Sequence, residues 1–338
     1  MPKNRRLLSA AQLIRDHLAL SGIDTYCAET GICKEDFIAI EPRDFDGEIY
    51  AIDGSNVVVC DWSVANLNQI RAGYVVYRGR TWQKTVFTYD DVYWADPRNY
   101  SEGFDTFLER LFGLDGINLG ESDLDRLSSY FRELQEYIAL ADAIDQSQQG
   151  DLVLYDGGFD VFEPLREVLK QVLRFAEGKQ VDLIGISKSS SLSWGDEISR
   201  PFVKHTSYAG SQLLPGVPWY INLKNKNVDY GPNAWDGETY VARFNGQSGR
   251  AFRVDVPSYL ENRRDVIMSK VAAYSNSAEC LGYPHALFRA HRDIRITKHE
   301  SHFLELELMN LISGMGLSKT QVEMLMEDYH DVREMRPG

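Results

Sequence analysis

The alternation of apolar and polar positions divides the chain into a helical opening, a block of strands, and a longer run where helices and strands alternate. Helical spacing predicts a first helix over 8–21, with Ser9 and Gln12 as a capping box and Gly22 as its stop. Residues 23–46, with turn signals at Gly31 and Pro42, read as irregular. Runs rich in Val, Ile, Tyr and Thr predict strands over 48–53, 56–62, 70–78 and 83–88, the last two joined by a hairpin at Arg78-Gly79-Arg80. The aromatic stretch 89–122, broken by Pro97 and glycines, gives no definite element. A helix over 123–144 aligns Leu127, Phe131, Leu134, Ile138 and Ala141. Strand 151–156, helix 163–177 closed by Gly178, and strand 181–186 follow. That order requires crossover connections and therefore parallel pairing. Residues 189–236 read as loop, and 238–245 with 250–256 as a hairpin about Asn245-Gly246. Helices are expected over 260–275, 284–293, 299–312 and 318–335, the last opened by Ser318 and Gln321. The expected fold class is α/β, a mixed sheet of antiparallel hairpins extended by parallel strands and flanked by helices.

Composition narrows this picture only slightly. With 338 residues, 43% hydrophobic and 25% charged, the chain can bury a large core. It carries no apolar stretch of bilayer length and no signal-peptide pattern, so a cytoplasmic protein without membrane contact is expected. Cys27, Cys33, Cys60 and Cys280 lack the paired spacing of a structural zinc site and read as reduced thiols. A net charge of −14 excludes a generally basic DNA-coating protein and leaves room for a local basic patch. The same charge suits docking on a basic partner surface, with the terminal helices (8–21 and 318–335) as candidate contacts.

Two strand-like runs end in the same device. Ile49-Tyr50-Ala51-Ile52 leads into Asp53-Gly54-Ser55, and Leu152-Val153-Leu154-Tyr155 into Asp156-Gly157-Gly158. An aspartate at the rim of a sheet can reach a metal ion, and the glycine after it lets backbone turn or approach closely. Two such carboxylates can hold Mg²⁺ or Mn²⁺, the ions of phosphodiester hydrolysis. Taken singly, each Asp-Gly is turn punctuation. A third buried-type strand ends in Ser187-Lys188, and Glu133 and Glu136 lie on the helix before the second aspartate. No GxxxxGK[ST] loop is present, which argues against another phosphoryl-transfer enzyme with a nucleotide site.

This order of residues resembles the NurA nuclease family, whose core is similar to ribonuclease H. The resemblance rests on Ala51-Ile52-Asp53-Gly54-Ser55, Leu154-Tyr155-Asp156-Gly157-Gly158, Gly185-Ile186-Ser187-Lys188, and the stretch from Gly282-Tyr283-Pro284-His285 to Ala290-His291-Arg292. The last stretch is the most specific. The family's third motif usually reads Asp-Gly-Ser, and Gly158 stands here in place of that serine. The resemblance implies a nuclease domain over 47–312, preceded by a helical and irregular segment (1–46) and followed by a terminal helix (313–338). It further implies a Mn²⁺- or Mg²⁺-dependent deoxyribonuclease with two ions, acting on single- and double-stranded DNA ends. A homodimer docked on a HerA-type hexameric ATPase is part of the same expectation. Asp53, Glu136, Asp156 and His291 are the implied metal ligands, with Lys188 as a catalytic cation. Glu136 followed by Tyr-Ile-Ala-Leu fits the family's register better than Glu133, which shares a helical line with Tyr137, Leu140 and Ile144 and remains the alternative. Arg289, Arg292, Arg295 and Lys298 form a candidate phosphate-guiding patch. Trp194, Tyr208 and Trp219 are either base-stacking or core aromatics, and His285 either a second site histidine or a packing residue. A decayed scaffold of the same fold, binding a DNA end or a translocase without cutting, is the competing reading.

Overall fold

The computed structural model describes residues 2–18, 22–62, 65–160, 163–195, 199–231, 235, 237–318 and 320–321. Helices α1 (Pro2–Leu18) and α2 (Ile23–Thr30) and a short strand β1 (Ile38–Ala39) precede three long strands, β2 (Glu48–Asp61), β3 (Asn66–Arg78) and β4 (Thr81–Ala95). Helices α3 (Tyr100–Phe107) and α4 (Leu127–Gln146) lead into β5 (Leu152–Tyr155), α5 (Arg166–Lys179) and β6 (Asp182–Ser187). A small pair, β7 (Ser193–Trp194) and β8 (Arg200–Pro201), comes before α6 (Phe202–Leu213), β9 (Trp219–Asn222), β10 (Gly237–Arg243) and β11 (Phe252–Pro257). Helices α7 (Arg264–Ala273), α8 (His285–Ile294) and α9 (Lys298–Gly314) follow. Among the described residues no helix is long and apolar enough to cross a membrane.

Among the described residues nine strands form one sheet in the order β1-β9-β10-β11-β6-β5-β2-β3-β4. Its centre is parallel, β2 with β5 and β5 with β6, and both wings are antiparallel. The expected mixed sheet is therefore present. β5 is buried along its whole length, as a central strand covered on both faces must be. Alternation along β2 sends Tyr50 and Ile52 to one face, where Leu134, Leu140 and Ile144 of α4 cover them. Ile49 and Ala51 point the other way, onto Ile267 and Val271 of α7 and Leu287, Ala290 and Ile294 of α8. A third cluster, Tyr26, Trp194, Phe202 and Trp219, packs under α2 and α6. Trp194 and Trp219 are core residues, and Tyr208 alone of the three proposed stacking aromatics is exposed.

Several expectations are corrected. The strands expected over 48–53 and 56–62 are one, because Asp53, Gly54 and Ser55 pair in register with Gly73, Ala72 and Arg71 of β3. A complete ladder overrides the local turn preference, so Asp53 stands within a strand and not at its end. The first helix begins at Pro2, which places Ser9 inside it, while 19–21 lie outside the described residues. Gly22 is the N-cap of α2, a helix absent from the irregular segment expected there. In the region read as loop, α6 buries His205, Thr206 and Ser207 beside Phe202 and Ala209, and those polar residues hid its apolar periodicity. Helix α5 runs through Gly178 and stops at Gln180, which takes the left-handed conformation with φ 58°. β4 extends to Ala95, and α3 follows it within the stretch left without elements. All but the start of the helix expected over 318–335 lies outside the described residues. The hairpin at Gly79, the helix carrying Leu127 to Ala141, and the parallel crossover agree with the sequence.

Candidate metal centre

The parallel register of β2 and β5 pairs Ile52 with Tyr155, so Asp53 and Asp156 come next to each other one step further on. The Asp156 N–H donates to the Ile52 carbonyl at 3.1 Å and holds this alignment. Period-two alternation gives Asp53 the face of Ala51 and Asp156 the face of Leu154, the side covered by α8. Leu287, Ala290 and Ile294 seat α8 on that face, which carries His291 to the edge of the contact. His291 Nδ1 lies 2.9 Å from Asp53 Oδ2, and the Gly54 N–H donates to Asp53 Oδ1 at 2.8 Å. One donor atom each from Asp53, Asp156 and His291 lie within 4.8 Å of one another. Asp53 is 7% exposed, whereas the His291 side chain is 53% exposed, so the cluster is walled by protein yet reachable from solvent.

Lys188, just past the end of β6, places Nζ 2.5 Å from Asp156 Oδ2 and 5.1 Å from the centre of the Tyr283 ring. The Tyr283 hydroxyl donates to Asp156 Oδ1 at 3.0 Å. Burial pushes the Asp156 carboxyl above its usual range and the negative charge of Asp53 adds to this, against the pull of Lys188 and Tyr283. Burial and the Asp156 charge push the Tyr283 hydroxyl well up, which keeps it a proton donor. The sequence motif contained Tyr283 without giving it a role. Tyr283 stands between a left-handed glycine (Gly282, φ 87°) and the proline at the start of α8, a local pattern that does not reveal Asp156 as its partner.

Glu136 approaches Asp53 from the other face. It is 3% exposed, paired with Arg132 through Oε1, and accepts the Tyr155 hydroxyl on Oε2 at 2.9 Å. Its carboxylate crosses β2 at Gly54, where any Cβ would collide with it. Burial, followed by the charge of Asp53, raises its pKa from 4.5 to about 7 against the opposing Arg132 and Tyr155. Glu136 is thus a neighbour of Asp53 that stays outside the three-residue donor group. Glu133 accepts the Tyr137 hydroxyl at 2.9 Å along its own helix.

The basic run is split. Arg289 turns towards β4, bonding Asp293 at 2.6 Å and stacking over Trp82 at 4.9 Å, on the opposite edge of α8 from His291. With Arg80, His285 and Arg292 it lines a cleft of about 350 Å³. Arg292, Arg295 and Lys298 are exposed. His285 packs its ring on Tyr77 and bonds the Tyr274 carbonyl at 2.9 Å, and burial lowers its pKa. It takes no part in the cluster.

Two carboxylates and an imidazole suit a divalent cation such as Mn²⁺, which accepts both oxygen and nitrogen donors. The repulsion between Asp53 and Asp156 is the electrostatic counterpart of that fit. Fold and cluster together define an α/β protein in which two central strands and helix α8 present a carboxylate–histidine group suited to a metal ion. No protein-family model matches the chain, and no curated protein matches it by sequence. Among solved structures it is similar to the NurA nuclease from Sulfolobus solfataricus, at 14% identity and a TM-score of 0.55, over 93% of this chain and 95% of that one. It is similar also to a second NurA structure, at 10% identity and a TM-score of 0.59, over 96% of this chain and 100% of that one. The chain has the NurA fold along nearly its whole length.

Proposed function

We propose that the protein is a metal-dependent deoxyribonuclease that hydrolyses phosphodiester bonds of single- and double-stranded DNA from its ends. The observation that carries this reading is the convergence of Asp53, Asp156 and His291, with Lys188 beside them, in a fold shared with NurA structures. Asp53, Asp156 and His291 would hold Mn²⁺ or Mg²⁺, and a second ion would draw on Glu136. When bound, such an ion supplies charge stabilisation at the phosphate and a more acidic water.

The chain's own groups account for the rest. Tyr283 holds one Asp156 oxygen and fixes that carboxylate's orientation. Lys188 keeps a positive charge at the rim, where it can meet a non-bridging phosphate oxygen as negative charge grows there. With Nδ1 engaged by Asp53, Nε2 of His291 is the ring nitrogen left to serve such an ion as a ligand. Arg292, Arg295 and Lys298 lie on the α8 and α9 side and suit backbone phosphates. A homodimer working with a HerA-type hexameric ATPase in end resection or defence completes the proposal.

Purified protein incubated with end-labelled single- and double-stranded DNA should cut it only with Mn²⁺ or Mg²⁺, and Asp53→Ala should not cut. Absence of cleavage with either metal, with or without a HerA-like partner, would sink the reading.

A further inference from the structure

The turn that carries Asp156 continues as Gly157-Gly158-Phe159-Asp160, and it is fastened from behind to β11. Arg253 of β11 is 2% exposed. Its Nε donates to Asp255 Oδ1 at 2.9 Å, its Nη2 lies 2.9 Å from Asp255 Oδ2, and its Nη1 donates to Asp160 Oδ2 at 2.7 Å. Asp255, fully buried, also accepts the Phe159 N–H at 2.8 Å and the Thr239 hydroxyl at 3.0 Å. One side chain and one backbone N–H of the turn are therefore both tied to β11.

Gly158 sits against this network, so that a side chain there would displace Asp160. A Cβ there would stand 2.5 Å from Asp160 Oδ1, 3.0 Å from Asp255 Oδ2 and 3.2 Å from Ser187 Oγ. Glycine at this place leaves those contacts undisturbed. The same arginine is the register partner of Ser187, the residue before Lys188. That pairing is through the backbone, so of the Asp156–Lys188 pair only the Asp156 turn is held by the Arg253 side chain. A buried guanidinium between two carboxylates contributes little net stability compared with apolar packing. Its effect here is geometric.

We propose that Arg253 is a positioning residue for the metal centre, locking the turn behind Asp156 through Asp160 and Asp255. It thereby sets where the Asp156 carboxylate stands relative to Asp53 and His291. This rests on the metal-centre reading above, but it is tested by metal binding without DNA. Full-length Arg253→Met should bind Mn²⁺ about 10- to 100-fold more weakly in a calorimetric titration, the cost typical of removing a group that orients a ligand. Arg253→Lys should recover part of that loss. Gly158→Ala, which pushes Asp160 off the guanidinium, should weaken Mn²⁺ in the same direction. Should Arg253→Met fail to fold, Asp160→Asn, cut at the partly exposed end of the network, carries the test. In cleavage assays kcat should fall with KM for DNA unchanged.

Native Mn²⁺ affinity in a folded Arg253→Met or Asp160→Asn overturns the proposal, as does a native protein that binds no Mn²⁺. If the native protein binds Mn²⁺ and cuts no DNA, while Arg253→Met binds it more weakly, positioning stands and the nuclease reading falls.

Discussion

Glu136→Gln should make the metal-free protein more stable at mildly alkaline pH. Glu136 is buried between Arg132, Tyr155 and the backbone of Gly54, and its folded pKa is raised from 4.5 to about 7. Below 4.5 both folded and unfolded chains carry the proton, so the folded state bears no penalty. Between 4.5 and about 7 the unfolded chain ionises while the folded one keeps its proton, and stability falls as pH rises. Above about 7 the folded protein carries a buried charge at a cost on the order of 3 kcal/mol, from about 1.4 kcal/mol per pH unit over that gap. An amide of the same shape has no such slope. Asp156, raised in the same direction, leaves a residual slope in the variant. Urea unfolding of both proteins in EDTA, at intervals between about pH 5 and pH 8, measures the difference directly. The gap between variant and native stability should widen with pH by roughly that amount. A gap that stays constant across the range, or narrows, would refute the burial argument.

Asp53→Ala should lose more cleavage than the roughly 10- to 100-fold typical of groups behind a ligand, while melting temperature barely changes because a carboxylate repulsion is relieved. A large drop in melting temperature would instead mark Asp53 as structural. Lys188→Met, altering a side chain that is 41% exposed, should lower kcat on the order of 100-fold with little change in unfolding midpoint. An unchanged kcat would remove Lys188 from the chemistry. Gly54→Ala forces a methyl group into the Glu136 carboxylate and should cost about 1–3 kcal/mol in chemical unfolding, and a neutral result would contradict the close crossing.

The parallel core was legible because β5 and β6 are short apolar runs bracketed by α4 and α5, whose helical spacing is unbroken. Local signals failed where tertiary pairing supplied the answer. Asp53-Gly54-Ser55 has the residues of a turn, and only the neighbouring β3 shows that it continues as strand. The same passage changes the meaning of Gly54, whose missing side chain admits Glu136 and serves no bend. Asp53, Asp156, Lys188 and His291 are singled out by motif, and the structure places them side by side. Position on the helix could not distinguish Glu133 from Glu136, since their surroundings depend on which strand backbone the helix crosses. Tyr283 and Arg253 are bonded to partners far away in sequence, and no local pattern marks such partners.

His291 and Asp53 are separated by 238 positions, and α8 packs on a sheet face built from β2, β3 and β5. During synthesis the two aspartates emerge long before the imidazole does, so the donor set is completed late and only by long-range assembly. A chain interrupted before α8 would carry the two carboxylates without their third partner. On the proposed function, fragments and half-folded chains would therefore lack a finished centre and would be inert towards DNA.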